Sequence, residues 1–273
     1  LITAFLQPGE EVITSHPTFL MYQKLVQVQG GVNTVVELTE GMNHDLRAIL
    51  EAVSPGTRMI FLDNPNNPTG RVIKPTDLAR FLNAVPDNVI IVLDEAYVDY
   101  VDPEFRVDAC SLIRDRKGAC PVVLLRTFSK AYGLSGLRVG YGIMDRAVAS
   151  CLHKVRQPFN INRMAQAGAL AALADDDFYK QTLDKTRRGL ALLSEEVEKL
   201  GCLSYPSQTN FFLIDVRGDA DKLYQKMLYK GVIIRSMSSY GFPFFIRVTV
   251  GTEGENSRFL VALKQCLDDL CYV

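Results

Sequence analysis

The chain has 273 residues, 30 Lys and Arg against 31 Asp and Glu, a formal net charge of −1, and is 48% hydrophobic and 22% charged. That apolar content with so little net charge excludes a disordered chain, and the lack of a basic excess excludes a non-specific binder of nucleic acid or anionic membranes. At roughly 100 to 200 residues per domain the length predicts one large or two modest domains. No window nears the roughly 18 uninterrupted apolar residues of a membrane span, and the N-terminus lacks signal-peptide zoning, so a soluble, cytoplasmic protein is expected.

The chain opens with Leu1, Ile2, Phe5 and Leu6 at helical spacing and no capping residue before them, so it is expected to begin inside a helix. Apolar, β-branched runs at 11–14, 32–38, 58–62, 89–93, 122–125 and 139–143 predict strands. Between them, helical periodicity covers 18–29, 45–53, 75–84 and 146–155, with Asp45 and Pro75 where helix starts are favoured. Such alternation predicts an α/β fold whose mostly parallel central sheet is covered by helices on both faces.

From Asn162 the pattern becomes a long helical region to Leu200, broken at Asp175, Asp176 and Asp177. After Gly201 a strand at 211–216, a helix at 219–229, strands at 232–235 and 245–250 and a helix at 253–270 predict a smaller α+β domain. The expected domains are 1–176 and 177–273. Six cysteines, Cys110, Cys120, Cys151, Cys202, Cys266 and Cys271, form no CxxC pair and have no His at ligand spacing, so buried reduced thiols are expected and no metal site.

Polar residues that follow apolar strands are site candidates, because open α/β sheets bind ligands beyond the carboxyl ends of their strands. The first group is Asp63 to Gly70, which reads Asp-Asn-Pro-Asn-Asn-Pro-Thr-Gly and is equally well a turn or a ligand loop. The second is Asp94-Glu95-Ala96-Tyr97. A carboxylate ending a buried strand needs a charged or hydrogen-bonded partner, and a helix cap or an ion pair would also serve. The third runs from Thr127-Phe128-Ser129-Lys130 through Gly133 and Gly136 to Arg138: hydroxyls, glycines and an Arg suited to an anion such as phosphate, with an amine nucleophile.

Together these groups match one chemistry. A phosphate-bearing aldehyde cofactor needs a Lys to condense with, donors for its phosphate, a carboxylate for a pyridine nitrogen and donors for a phenolic oxygen. Competing motifs (GxGxxG, a Walker loop, HExxH, GxSxG) are absent, and the three His, at 16, 44 and 153, are widely spaced.

The Thr127-Phe128-Ser129-Lys130-Ala131-Tyr132-Gly133-x-x-Gly136 segment closely resembles the cofactor-lysine signature of class II aminotransferases of pyridoxal phosphate fold type I. Segments 64–70, 94–97, 157–162 and 246–252 are similar to the histidinol-phosphate aminotransferase family, and the resemblance spans the chain. It implies a Schiff-base role for Lys130, which also shuttles the reacting proton. It further implies Asp94 at the pyridine nitrogen, Asn67 and Tyr97 at the phenolic oxygen, Ser129 and Arg138 with Thr127 at the phosphate, and Phe19 stacked on the ring where the family often has Tyr. Arg247 and Arg235 are implied as binders of the substrate anions, with Asn210 nearby; Arg235 reads equally as an edge-strand surface charge.

By the same resemblance, the cofactor is pyridoxal 5'-phosphate and the reaction is amino transfer between L-histidinol phosphate and 2-oxoglutarate. The assembly implied is a homodimer. Transfer from aromatic amino acids and decarboxylation of phosphothreonine are the alternatives within the fold. The family carries a phosphate-binding loop and an intersubunit arm before the position of Leu1, so the chain is expected to be an N-terminally shortened form, in which weak cofactor binding or inactivity is a further alternative.

Overall fold

The computed structural model describes residues 1–114 and 120–272. The chain folds as two compact units, one formed by Leu1–Asn67 and Arg71–Asp176, the other by Pro68–Gly70 and Asp177–Val273.

The first unit is built in chain order from α1 (Ile2–Phe5), β1 (Glu11–His16), α2 (Met21–Val28), β2 (Val32–Glu37), α3 (Leu46–Glu51), β3 (Thr57–Asp63), α4 (Pro75–Ala84), β4 (Ile90–Asp94), α5 (Ala109–Arg114), β5 (Val122–Thr127), β6 (Gly140–Ile143), α6 (Arg146–Val155) and α7 (Arg163–Ala174). Its six strands lie in the order β2-β1-β3-β4-β5-β6. The first five run parallel and β6 is antiparallel to β5. The mostly parallel sheet expected from the alternation of apolar runs and helices is therefore present.

Alternate residues of the central strands feed two cores, as the period-2 geometry of a strand requires. Ile60, Leu62, Ile91, Leu93 and Leu124 pack on one face with Ile49, Phe81 and Leu82 from α3 and α4. Met59, Phe61, Ile90, Val92 and Val123 face the other way, onto Tyr22 and Val26 of α2 and Val148 of α6. With both faces covered, residues 59–62 of β3, 90–93 of β4 and 122–125 of β5 are all apolar, which is why these central strands read as unbroken apolar runs.

Side-chain caps fix several helix starts. Asp45, Asp145 and Asn162 accept N–H bonds from Ala48, Ala147 and Ala165 at 2.9, 2.7 and 2.8 Å. Pro75 occupies the first turn of α4, where its missing N–H costs nothing. One boundary differs from expectation: α2 begins at Met21 instead of residue 18, and the Thr18 hydroxyl caps no helix but donates to the carboxylate of Asp63, 2.6 Å distant.

The second unit comprises α8 (Asp176–Lys199), β7 (Leu203–Ser204), β8 (Phe211–Asp215), α9 (Ala220–Tyr229), β9 (Arg235–Ser236), β10 (Phe245–Thr249) and α10 (Glu253–Leu270). Its strands form an antiparallel sheet in the order β7-β8-β10-β9. Phe212, Ile214, Ile246 and Val248 pack on Leu193 and Val197 of α8, Leu223 and Met227 of α9, and Phe259, Leu263 and Leu267 of α10. Thr252 and Glu255 close a capping box on α10.

The strand expected at 232–235 shrinks to Arg235–Ser236. Gly231 turns with φ +71° and the Val232 N–H closes α9 on the Met227 carbonyl at 3.0 Å, leaving Ile233 exposed. Residues 68–70 join this unit: the Gly70 carbonyl accepts the Gln208 N–H at 2.8 Å, and Gly70 has φ +72° with Ser207 packed against its Cα.

Among the described cysteines, Cys120, Cys202 and Cys266 are buried and reduced. Burial pushes the Cys202 thiol up to about 11. Cys151 is half-buried and Cys271 is exposed, against the expectation of burial, because Cys271 adopts φ +53° in ending α10 at the surface. The side chain of Cys110 lies outside the described residues.

Candidate active site

The carboxyl ends of β3, β4 and β5 are adjacent in the first unit and carry Asp63, Asp94 and Thr127; Asp63 and Asp94 are direct register partners. Asp94 accepts the Tyr22 hydroxyl on Oδ2 at 2.7 Å and the Ala96 N–H on Oδ1 at 3.1 Å. Burial pushes its carboxyl above the ordinary carboxylate range, and the negative charge of Asp63 adds to this; the Tyr22 and Ala96 donors and the nearby Lys130 ammonium oppose it. Tyr22 is itself raised well above an ordinary phenol by burial and by the two carboxylates.

Lys130 follows β5 in the loop that begins at Phe128, and its Nζ stands 5.0 Å from the ring centroid of Tyr97, a cation–π contact with a buried ring. Asp94, Tyr97 and Lys130 are thus brought to one edge of the sheet from two strand ends. In the same loop Thr127 Oγ1 accepts the Ser129 N–H at 3.0 Å, which bends the chain directly ahead of the lysine. Arg138 adopts φ +55°, and its Nη1 donates to the Ser135 carbonyl at 2.8 Å with the guanidinium exposed.

Asn67 is half-buried in the loop after β3, its N–H donated to Asp63 Oδ2 at 2.8 Å. Phe19, 40% exposed, meets the Tyr22 ring edge-on with centroids 5.5 Å apart.

Several residues in this region carried no sequence signal of a role. Tyr22 lies in an ordinary helical pattern, and only the packing of α2 on the sheet brings it to Asp94. His44 sits alone in the sequence, yet its Nε2 is 3.3 Å from Asp63 Oδ1 and its Nδ1 is 2.7 Å from Ser15 Oγ. Glu95, in the quoted motif, turns away from the site to pair with Arg126 at 2.7 Å. Burial raises the Glu95 carboxyl and the Arg126 guanidinium pulls it back.

In the second unit, Arg247 of β10 and Arg235 of β9 are direct cross-strand partners. Like charges opposite one another on a sheet repel, so an anion close to the pair would relieve that repulsion. Arg247 is half-buried, its guanidinium 4.7 Å above the Phe211 ring, whereas Arg235 is exposed on the edge strand. Both line a cavity of about 1180 Å³ together with Ser236, Ser238, Glu255 and Arg258. Asn210 lies outside that lining, where its carbonyl accepts the Val250 N–H at 2.9 Å.

Among the described residues no group of three or more His, Cys, Asp or Glu could hold a metal ion, and no helix is long and apolar enough to cross a membrane.

The family model for aminotransferase class I and II matches residues 1–263. The chain is 62% identical over 273 residues to the histidinol-phosphate aminotransferase of Desulfotalea psychrophila, covering 100% of this chain and 72% of that relative. It is 40% identical to the enzyme of the same name from Moorella thermoacetica, over 98% of this chain and 68% of the relative. Among solved structures it is similar to histidinol-phosphate aminotransferase from Sinorhizobium meliloti in complex with pyridoxal-5'-phosphate, with a TM-score of 0.91 and 28% identity over 98% of this chain and 73% of that one. L-threonine-O-3-phosphate decarboxylase from Porphyromonas gingivalis is similar at a TM-score of 0.81 and 27% identity, over 95% and 78%. With a lysine-centred site at the carboxyl edge of a fold type I sheet and a family match over nearly its whole length, the chain belongs to the aminotransferase class I and II family.

Proposed function

We propose that the chain transfers an amino group between L-histidinol phosphate and 2-oxoglutarate in L-histidine biosynthesis, using pyridoxal 5'-phosphate held by Lys130. The observation that carries this reading is the convergence of Asp94, Tyr97 and Lys130 at the carboxyl edge of β4 and β5, in a chain 62% identical to a histidinol-phosphate aminotransferase. The donor set suits the cofactor: an amine, a largely buried carboxylate of raised proton affinity, a phenol and an amide donor, and, at the end of β5 and in the segment that follows it, the hydroxyls of Thr127 and Ser129 and the exposed guanidinium of Arg138. The cofactor-binding part is proposed as residues 1–176 and the substrate-recognising part as 177–273, in a cytoplasmic homodimer.

When bound, pyridoxal phosphate supplies an aldehyde that condenses with amines and a pyridine ring that draws electrons from the bond being broken. Asp94 would face the ring nitrogen and keep its proton in place, a role suited to a carboxylate already supported by two donors. Tyr97 and Asn67 would donate to the phenolic oxygen. Ser129, Thr127 and Arg138 would hold the phosphate, and Phe19 would cover the ring face. The Lys130 amine, once released by the incoming substrate amine, would take and return the substrate proton, with Tyr97 beneath it limiting its approach. Arg247, assisted by Arg235, would hold the substrate anions, since a guanidinium fork binds carboxylate and phosphate alike; Asn210 is proposed to lie nearby.

Purified protein supplied with pyridoxal phosphate, histidinol phosphate and 2-oxoglutarate should form glutamate, and Lys130→Ala should form none. Release of carbon dioxide from phosphothreonine without glutamate formation, or amino transfer from aromatic amino acids alone, would replace this reading.

A further inference from the structure

Asp63 is a buried carboxylate that the proposed chemistry does not use, and among the described residues it gathers donors from three directions. Its Oδ1 accepts the Thr18 hydroxyl at 2.6 Å and the Asn66 side-chain amide at 3.0 Å, and lies 3.3 Å from His44 Nε2. Its Oδ2 accepts the Asn67 N–H at 2.8 Å. Thr18, Asn66, His44 and Asp63 are all buried. The His44 ring is oriented from both sides: Nε2 faces the Asp63 carbonyl at 3.0 Å as well as Oδ1, so it carries the proton, and Nδ1 meets Ser15 Oγ at 2.7 Å.

The sheet order β2-β1-β3 reverses between β1 and β3, and such a switch point is where open α/β sheets form their ligand crevice. Asp63 ends β3 at that reversal. Through Thr18 it holds the loop after β1 that presents Phe19, and through Asn66 and the Asn67 N–H it holds the loop after β3 that presents Asn67. A carboxylate offers about four lone-pair sites and no proton, which matches four donors; an amide of the same shape offers about two and adds two protons of its own.

We propose that Asp63 is a positioning residue that ties the Phe19 loop to the Asn67 loop and so sets both the stacking face and the phenolic-oxygen donor of the cofactor site, with His44 and Ser15 orienting its carboxylate. This rests on the reading of the site as a pyridoxal phosphate site. It assigns to Asp63 and His44 a role that neither the lysine motif nor the arginine pair requires.

The test is titration of the protein with pyridoxal phosphate, followed by visible absorption and by the circular dichroism that the bound cofactor acquires from its surroundings. Wild type should show a visible band that Lys130→Ala lacks. Asp63→Asn should bind the cofactor at least tenfold more weakly and, at saturation, show the visible dichroism reduced by half or more, with the far-ultraviolet spectrum of the cofactor-free protein unchanged. Wild-type affinity and wild-type dichroism in Asp63→Asn would overturn the inference and leave the cofactor reading standing. A wild type with no lysine-dependent band would overturn both. Should Asp63→Asn fail to fold, Thr18→Val, which removes only the tether of the Phe19 loop, carries the test: about threefold weaker binding with altered dichroism is expected, and no change in either refutes the role.

Discussion

The Tyr22 hydroxyl donates to Asp94 Oδ2 across 2.7 Å, joining the helix after the first strand to the end of the fourth, 72 positions later in the chain. Tyr22 is also stacked on Phe61 of β3, with ring centroids 4.8 Å apart, so its hydroxyl is held in place by the core and not by solvent. A hydrogen bond to a charged group contributes about 1.5–3 kcal/mol.

This bond sets a pH-dependent prediction. The folded-state value of Asp94 lies above the ordinary 3.8, so the folded protein holds a proton there that the unfolded chain releases. Stability contributed by Asp94 is therefore greatest at low pH and falls as pH rises from 3.8 through the raised folded value. Tyr22→Phe removes a donor to the charged form. The cofactor-free variant should lose about 1.5–3 kcal/mol at pH 7 and clearly less at pH 4. Urea denaturation of both proteins at the two pH values measures the difference, and equal losses would refute the account. Asp94→Asn should flatten the same slope.

Glu95 and Arg126 make a different kind of pair. Glu95 is 4% exposed and Arg126 half-buried, so removing one partner strands the other in a poorly solvated place. Arg126→Ala should destabilise the protein by about 3 kcal/mol, and adding Glu95→Gln should restore part of it. A loss below about 0.5 kcal/mol in the single variant would place this pair with ordinary surface ion pairs.

Arg247 and Arg235 are predicted to differ in weight. Arg247 is held over Phe211, whereas Arg235 projects from an edge strand into solvent. Arg247→Ala should raise the KM for 2-oxoglutarate by about 10- to 100-fold, the loss of one charge-assisted hydrogen-bond pair, and Arg235→Ala by about threefold. Steady-state kinetics with each variant decides; equal effects would mean that both guanidinium groups grip the anion alike.

Gly70 combines φ +72° with Ser207 packed where a Cβ would stand. Gly70→Ala is therefore expected to cost at least about 2 kcal/mol, from left-handed backbone strain together with steric overlap. Chemical denaturation gives the value directly. A neutral result would show that the Ser207 segment yields freely.

The sequence by itself determined the local features of this protein. Spacing of apolar residues marked the strands from Glu11 to Ile143 and the helices α2, α3 and α4 between them, though not the short α5, because burial on both faces of a parallel sheet leaves a continuous apolar run and one-sided burial leaves a helical period. Polar residues stranded at the ends of those runs singled out Asp94, Tyr97 and Lys130, which the fold brings to one edge of the sheet. Tertiary structure alone decided what those residues touch. Strand order is set by how crossover helices bury their faces, and no local pattern records it. It is that order which puts Asp63 beside Asp94, carries Tyr22 and His44 to the two carboxylates, and pairs Arg235 with Arg247. Tyr22 reads as a helix residue and His44 as an isolated one because their partners lie 19 to 72 positions away, beyond the reach of any periodicity.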